Sequence, residues 1–259
     1  MKNYSAYLLD LDGTIYRGSE IIPEAIAFIQ HLREVQIPFL YLTNNSSATP
    51  QAVADRLTGM GLPTNPEEVY TSSMATAAYL AERKSEGTPI YLIGESGIEE
   101  ALKEKGFILT AEKPEYVVVG IDRKFTYEKL AIATTAIRNG ATLIATNGDA
   151  ALPTEKGLFP GNGSLVAAVS VASATQPIVI GKPESIIVEY ALAVLGKTRE
   201  ETLIVGDNLH TDIEAGRKSG LDSLLVLTGY SCREDCEKHL ITPTYIEESL
   251  LSWWDKARH

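Results

Sequence analysis

Tyr7-Leu8-Leu9-Asp10-Leu11-Asp12-Gly13-Thr14 is an apolar run that ends in two carboxylates two residues apart, followed by a glycine. Side chains alternate along a strand, so Asp10 and Asp12 fall on one side at its carboxyl end. Open α/β sheets gather their ligands there. Two acids so placed can divide labour: one attacks an electrophile as a carboxylate, the other carries a proton to the leaving group. An Asp-Gly turn after a strand is also an ordinary structural device, so the rest of the chain has to decide between the two.

Outward from this stretch, short aliphatic runs alternate with helical patterns, as in a mostly parallel sheet covered on both faces. The runs are Ala6 to Leu11, Phe39 to Leu42, Ile90 to Ile93, Tyr116 to Val119, Thr142 to Ala145, Ile178 to Ile180, Leu203 to Val205 and Ser223 to Leu227. Pro23 and Thr49-Pro50 open helices, and Thr126 caps one that runs to Arg138 before Gly140. Pro183 is read as the first residue of a helix whose inward face is Ile186, Ile187, Tyr190 and Leu195, and Gly161-Asn162-Gly163 as a surface turn, with a mobile cap loop as the alternative. Trp253 and Trp254 belong to a C-terminal helix packed on the core. The segment 81–177 holds three strands and at least two helices of its own, which predicts a second domain inserted into the first. The expected fold is therefore α/β, with a Rossmann-like parallel-sheet core over 1–80 and 178–259 and an inserted α/β cap over 81–177.

The chain has 259 residues, 44% of them hydrophobic, and a formal net charge of −11. That composition excludes a natively disordered chain. The acidic balance and the lack of clustered Lys and Arg argue against nucleic acid as a partner. No run approaches the roughly 18 apolar residues of a membrane span, and no secretory signal is seen, so a cytoplasmic location is expected. Cys232 and Cys236 make neither a disulfide framework nor a structural zinc site. Familiar phosphate and hydrolase motifs also fail. Gly196-Lys197-Thr198 would need its first P-loop glycine at Ala191, and Gly94-Glu95-Ser96-Gly97 puts its second glycine one place early for a nucleophile elbow. Asp10-Leu11-Asp12-Gly13 lacks the glycine and glutamate positions of a calcium loop.

Three more strand ends carry chemistry. Thr202-Leu203-Ile204-Val205-Gly206-Asp207, continuing to Asn208 and Asp212, delivers further carboxylates. Gathered beside Asp10 they would repel one another unless a hard cation such as Mg²⁺ were bound, although Asp207 and Asp212 are also good helix caps. Leu42-Thr43-Asn44-Asn45-Ser46 ends in hydroxyls and amides suited to an oxyanion, or to a plain solvated turn. Ile180-Gly181-Lys182-Pro183 presents one lysine at a strand end.

Taken in order, Asp10-x-Asp12-x-Thr14, Thr43, Lys182 and Gly206-Asp207-x-x-x-x-Asp212 resemble the four motifs of the haloacid dehalogenase superfamily of aspartyl-nucleophile phosphotransferases. The long gap from Thr43 to Lys182, together with the wording around Thr43 and Asp207, resembles the NagD-like, p-nitrophenylphosphatase-like subfamily. That resemblance implies a Mg²⁺-dependent phosphatase acting on a small phosphorylated metabolite such as a nucleoside monophosphate or a sugar phosphate. It casts Asp10 as nucleophile and Asp12 as general acid and base, with Mg²⁺ held by Asp10, the Asp12 carbonyl and Asp207. Thr43 and Lys182 would hold phosphoryl oxygens, with Asn44 nearby. Asp212, with Asn208, would support the metal or the lysine from behind, and Asn147 and Asp149 would face the substrate from the cap. A phosphomutase and a non-catalytic phosphometabolite-binding module are the alternatives, and the oligomeric state is left open.

Overall fold

The structure is a computed structural model that describes residues 2–154 and 157–257. The chain divides into two compact units. One takes the chain up to Thr43, then Gln51–Tyr70, then Lys182 onward, and the other takes Asn44–Pro50 and Thr71–Gly181. The second unit thus holds residues 44–50, 71–80 and 178–181 in addition to 81–177. The reason for residues 72–81 is packing: the helix Ser72–Ala81 buries the small side chains Ser73, Ala75, Thr76 and Ala77 and lies against the helix Ser96–Glu104.

In the first unit a six-stranded sheet runs in the order Tyr245–Glu247, Asp222–Val226, Thr202–Gly206, Ala6–Leu9, Phe39–Thr43, Val69–Thr71. Numbered along the chain within this sheet, that is the doubly wound order 3-2-1-4-5-6 read from its far edge. Its topological switch point therefore lies between Ala6–Leu9 and Thr202–Gly206, the strands that lead into Asp10 and Asp207. These two strands are parallel and in register, Leu8 opposite Ile204 on one side and Leu40 on the other. All four residues of Ala6–Leu9 and all five of Thr202–Gly206 are buried, as expected of strands covered on both faces. Tyr7 packs edge-on against Phe28 of the helix Pro23–Glu34, and its hydroxyl accepts from Trp253 Nε1 at 3.4 Å. Both tryptophans of the C-terminal helix Leu250–Ala257 are buried.

The second unit has its own five-stranded parallel sheet, ordered Ile178–Val179, Thr142–Ala145, Tyr116–Val119, Pro89–Ile93, Ile108–Leu109. In chain order this is the flavodoxin-like 2-1-3-4-5. The helix Tyr127–Arg138 starts as expected, with the Thr126 side chain accepting from Lys129 N–H at 3.2 Å. Two expectations are corrected. Helix Ser185–Leu195 begins two residues after Pro183 and buries Ile187, Val188, Ala191 and Leu192; of the four expected inward residues only Ile187 is buried. Gly161-Asn162-Gly163 is not a surface turn: Asn162 starts the helix Asn162–Ser173, is buried, and donates its amide to Val119 O, Thr146 Oγ1 and Asn147 O. Among the described residues no helix is long and apolar enough to cross a membrane.

Leu8 is fully buried in the central strand with Leu40 and Ile204 beside it. Leu8→Ala is expected to cost about 3 kcal/mol of unfolding free energy, from lost burial plus an unfilled cavity. A denaturant titration showing a loss of less than about 1 kcal/mol would place Leu8 outside a tightly packed core.

Candidate active site

The switch point brings together side chains far apart in sequence. Strand Ala6–Leu9 ends one residue before Asp10, whose N–H still donates to Val205 O at 2.9 Å and so fixes its start against the neighbouring strand. Strand Thr202–Gly206 ends before Asp207, and a π-helical turn over Leu209–Ile213 carries Asp212 back beneath it. Gly206 is required for that return, because a Cβ there would sit 2.2 Å from Asp212 Cγ. The sequence reading of Asp212 as a helix cap gives way to this turn, in which Asp212 N–H donates to Asn208 O at 3.0 Å. Asn208 N–H donates to Asp212 Oδ2 at 3.2 Å, and the Asn208 side chain accepts from His210 N–H at 2.9 Å.

Lys182 is the centre of the group. Its side chain is 3% exposed, and the ammonium donates to Asp10 Oδ1 at 2.6 Å, Asp212 Oδ1 at 2.7 Å and Leu42 O at 2.9 Å. Leu42 precedes Thr43, the last residue of its strand, and Thr43 is buried. Burial works against the charged ammonium, but the carboxylates of Asp10 and Asp212 outweigh it and hold its pKa above the ordinary lysine value.

Asp10, Asp207 and Asp212 each offer an oxygen within 4.8 Å of the others, so the lysine neutralises only one of three charges. The strain appears in the carboxyl groups. Burial, followed by the charge of Asp212, pushes Asp10 well above the usual carboxylate range, and the same two causes push Asp207 up to about 7. Both oxygens of Asp212 are engaged by Lys182 and Asn208 N–H, whereas Asp10 gives one oxygen to Lys182 and Asp207 gives Oδ2 to Tyr230 N–H at 2.6 Å. An all-oxygen donor set carrying excess negative charge in a mostly buried place fits a hard divalent cation such as Mg²⁺.

Asp12, two residues after Asp10, is exposed. Partial burial raises its pKa, against the pull of the Arg56 charge and the Gly13 N–H. The turn after it is tight: Gly13 has φ +81°, its N–H donates to Tyr16 O at 2.7 Å, and a Cβ would fall 2.1 Å from Asp207 Oδ2. The loop Thr228-Gly229-Tyr230-Ser231 was not singled out from the sequence. It cradles Asp207 through Tyr230 N–H, through Ser231 N–H donating to Asp207 O at 3.0 Å, and through Gly229, where a Cβ would fall 2.0 Å from Asp207 Oδ2. A glycine just past the end of the strand Asp222–Val226 was the one signal in the sequence.

Asn44, Asn147 and Asp149 lie in the second unit and touch one another there. Asn44 Nδ2 donates to both Asp149 oxygens at 3.2 and 3.1 Å, Asn147 Nδ2 to Asn44 O at 2.8 Å, and Asp149 N–H to Asn147 Oδ1 at 3.1 Å. Gly181 admits this bracing, since a Cβ there would be 2.5 Å from Asn44 Oδ1.

Comparison with known proteins bears on this arrangement. A family model described as haloacid dehalogenase-like hydrolase matches residues 7–108, and a second HAD-like hydrolase model matches 179–253. The chain is 51% identical over 253 residues to the protein named 5'-nucleotidase YutF of Bacillus subtilis, covering 98% of each. It is 48% identical over 246 residues to the protein named acid sugar phosphatase of Staphylococcus aureus, covering 95% of each. The solved structure of NagD from E. coli superposes with a TM-score of 0.91 at 34% identity, covering 96% of this chain and 98% of that one. With the motif order, the doubly wound sheet and the Asp-Lys cluster at its switch point, these likenesses place the chain among the haloacid dehalogenase-like hydrolases, as one of that family's phosphatases.

Proposed function

We propose that the chain hydrolyses the phosphoric monoester of a small metabolite, a nucleoside monophosphate or a sugar phosphate, with Mg²⁺ and through a phosphorylated Asp10. The observation that carries this reading is the buried Lys182 ammonium, which fixes one Asp10 oxygen at 2.6 Å beside Asp207 and Asp212 at the sheet's switch point. The names of the two bacterial relatives support the two substrate classes.

Mg²⁺, for which Asp10, Asp207 and the Asp12 carbonyl are the proposed ligands, would neutralise the facing anions and polarise the phosphoryl oxygens. The remaining steps belong to side chains. Lys182 holds Asp10 in place and favours its ionised form, so that a carboxylate oxygen meets phosphorus in line with the ester oxygen. As the P–O ester bond breaks, protonated Asp12 gives its proton to the departing alkoxide. Thr43 and Lys182 take the charge that spreads over the phosphoryl oxygens. Asp12, now a carboxylate, removes a proton from water; the water oxygen attacks phosphorus, inorganic phosphate leaves, and Asp10 is regenerated. Asp12 can serve both steps because its carboxyl is raised by partial burial while the residue stays exposed. Asn147 and Asp149 are the cap residues proposed to meet the rest of the substrate.

Asp10→Asn is expected to abolish phosphate release from AMP and glucose 6-phosphate, by at least about 10⁴-fold, while the far-UV circular dichroism stays that of the wild type. Retention of a tenth of the activity would remove Asp10 from the nucleophile's role. A second expectation follows from Asp207. Its folded pKa of about 7 exceeds that of an unfolded aspartate, so between the two values the folded state binds more protons, and the metal-free protein loses stability as pH rises toward 7. Mg²⁺ competes with those protons. Thermal unfolding should therefore show a larger Mg²⁺-induced rise in Tm at pH 8 than at pH 5.5, and an equal or smaller rise would mean that Asp207 is not a ligand.

A further inference from the structure

The residues after Asp12 form a small hairpin, Tyr16–Arg17 paired antiparallel with Glu20–Ile21, which packs little of its own surface into the core beyond Ile15, Tyr16 and Ile22. Two-residue strands do not hold themselves. Two arginines that the mechanism leaves unused do hold it, through separate contacts. Arg56, on the helix Pro50–Gly59, lies over the Tyr16 ring with its guanidinium 4.6 Å from the ring centroid and donates from Nη2 to Gly18 O at 2.7 Å. Arg17 donates from Nε to Thr228 O, and Thr228 Oγ1 donates back to Gly13 O at 2.7 Å. Tyr16 is in turn bridged to Asp12.

We propose that Arg56 and Arg17 are positioning residues that clamp this hairpin and thereby set where the Asp12 carboxyl stands relative to Asp10 and Asp207. The inference rests on the reading of Asp12 as the general acid. The chain of contacts is short and continuous: Arg56 to Gly18 and Tyr16, Tyr16 to Asp12, and on the other side Arg17 to Thr228, whose loop holds Asp207 through Tyr230 N–H. Each arginine bonds a backbone carbonyl, so the clamp constrains the path of the hairpin, and Arg56 adds its contact with the Tyr16 ring. Both arginines are exposed, and their work is to fix a turn. A displacement of about 1 Å at a proton donor is enough to cost a large part of its effect.

The leaving group provides the test. p-Nitrophenolate departs without a proton, whereas the alkoxide of a nucleoside or sugar phosphate needs one. The readout is the ratio of kcat/KM on an alkyl phosphate, whichever of AMP and glucose 6-phosphate the wild type turns over faster, to kcat/KM on p-nitrophenyl phosphate, because kcat/KM stops at phosphoryl transfer to Asp10 and leaves out the hydrolysis step that both substrates share. Asp12→Asn is expected to lower that ratio by about 100-fold, the usual worth of a general acid. Arg56→Met, which leaves a side chain of similar length beside Tyr16 but removes the guanidinium with its donor and charge, is expected to lower it by about 10-fold, with partial recovery in Arg56→Lys. Arg17→Met should behave as Arg56→Met does, so a folding defect in one variant leaves the other to decide. A ratio unchanged in both arginine variants while Asp12→Asn lowers it would overturn the clamp. A ratio unchanged in Asp12→Asn would overturn the acid reading itself, and the clamp with it.

Discussion

A single ammonium held in a nearly dry place between two carboxylates organises this molecule. Lys182 donates to Asp10 and Asp212 and to the Leu42 carbonyl, and so ties two strand ends and the π-helical turn to one point. Leaving a buried charge without its partner costs about 3–5 kcal/mol, so none of these groups can be moved independently. The same interaction is incomplete, since a third carboxylate, Asp207, has an oxygen within 4.8 Å of both other acids. Burial first, and then the charge of Asp212, raise Asp10 and Asp207 above the usual carboxylate range. A site of this kind is prepared for something positive and something able to accept an electron pair, which is what a divalent cation and a phosphate ester bring.

The sheet explains why the charges meet at all. In a doubly wound sheet the connections leave the first and fourth strands in opposite directions, and the crevice this opens lies at their carboxyl ends. Asp10 and Asp207 follow those two strands, and the glycines around them let the backbone close in. Gly13, Gly206 and Gly229 each stand where a Cβ would collide with an aspartate. Here the glycines serve contact distance more than chain flexibility.

Much of this was legible in the sequence because strand ends in parallel sheets announce themselves. Tyr116–Val119 and Thr142–Ala145 have the boundaries expected from their apolar runs, and Asp10, Asp12, Thr43, Lys182 and Asp207 stand at or within three residues of a strand end. The rest was hidden for identifiable reasons. Val69–Thr71 and Tyr245–Glu247 are three residues long, too short for any period to show. The hairpin Ala151–Thr154 with Gly157–Pro160 carries Pro153 and Pro160, which argue against a strand in isolation. The Asn162 amide is buried because three acceptors from distant elements converge on it, something only the tertiary structure could supply. The Thr228–Ser231 loop was missed because it works through backbone N–H groups, to which residue identity gives almost no clue.

The central claim is that phosphorus passes through a bond to Asp10. Rapid acid quenching of the enzyme during turnover of p-nitrophenyl phosphate with Mg²⁺, followed by peptide mass spectrometry, tests it most directly. A phosphoryl group on the peptide containing Asp10, present in early time points and absent from Asp10→Asn, is the expected result. Full turnover with no adduct at any quench time in the wild type, or an adduct on another residue, would contradict it.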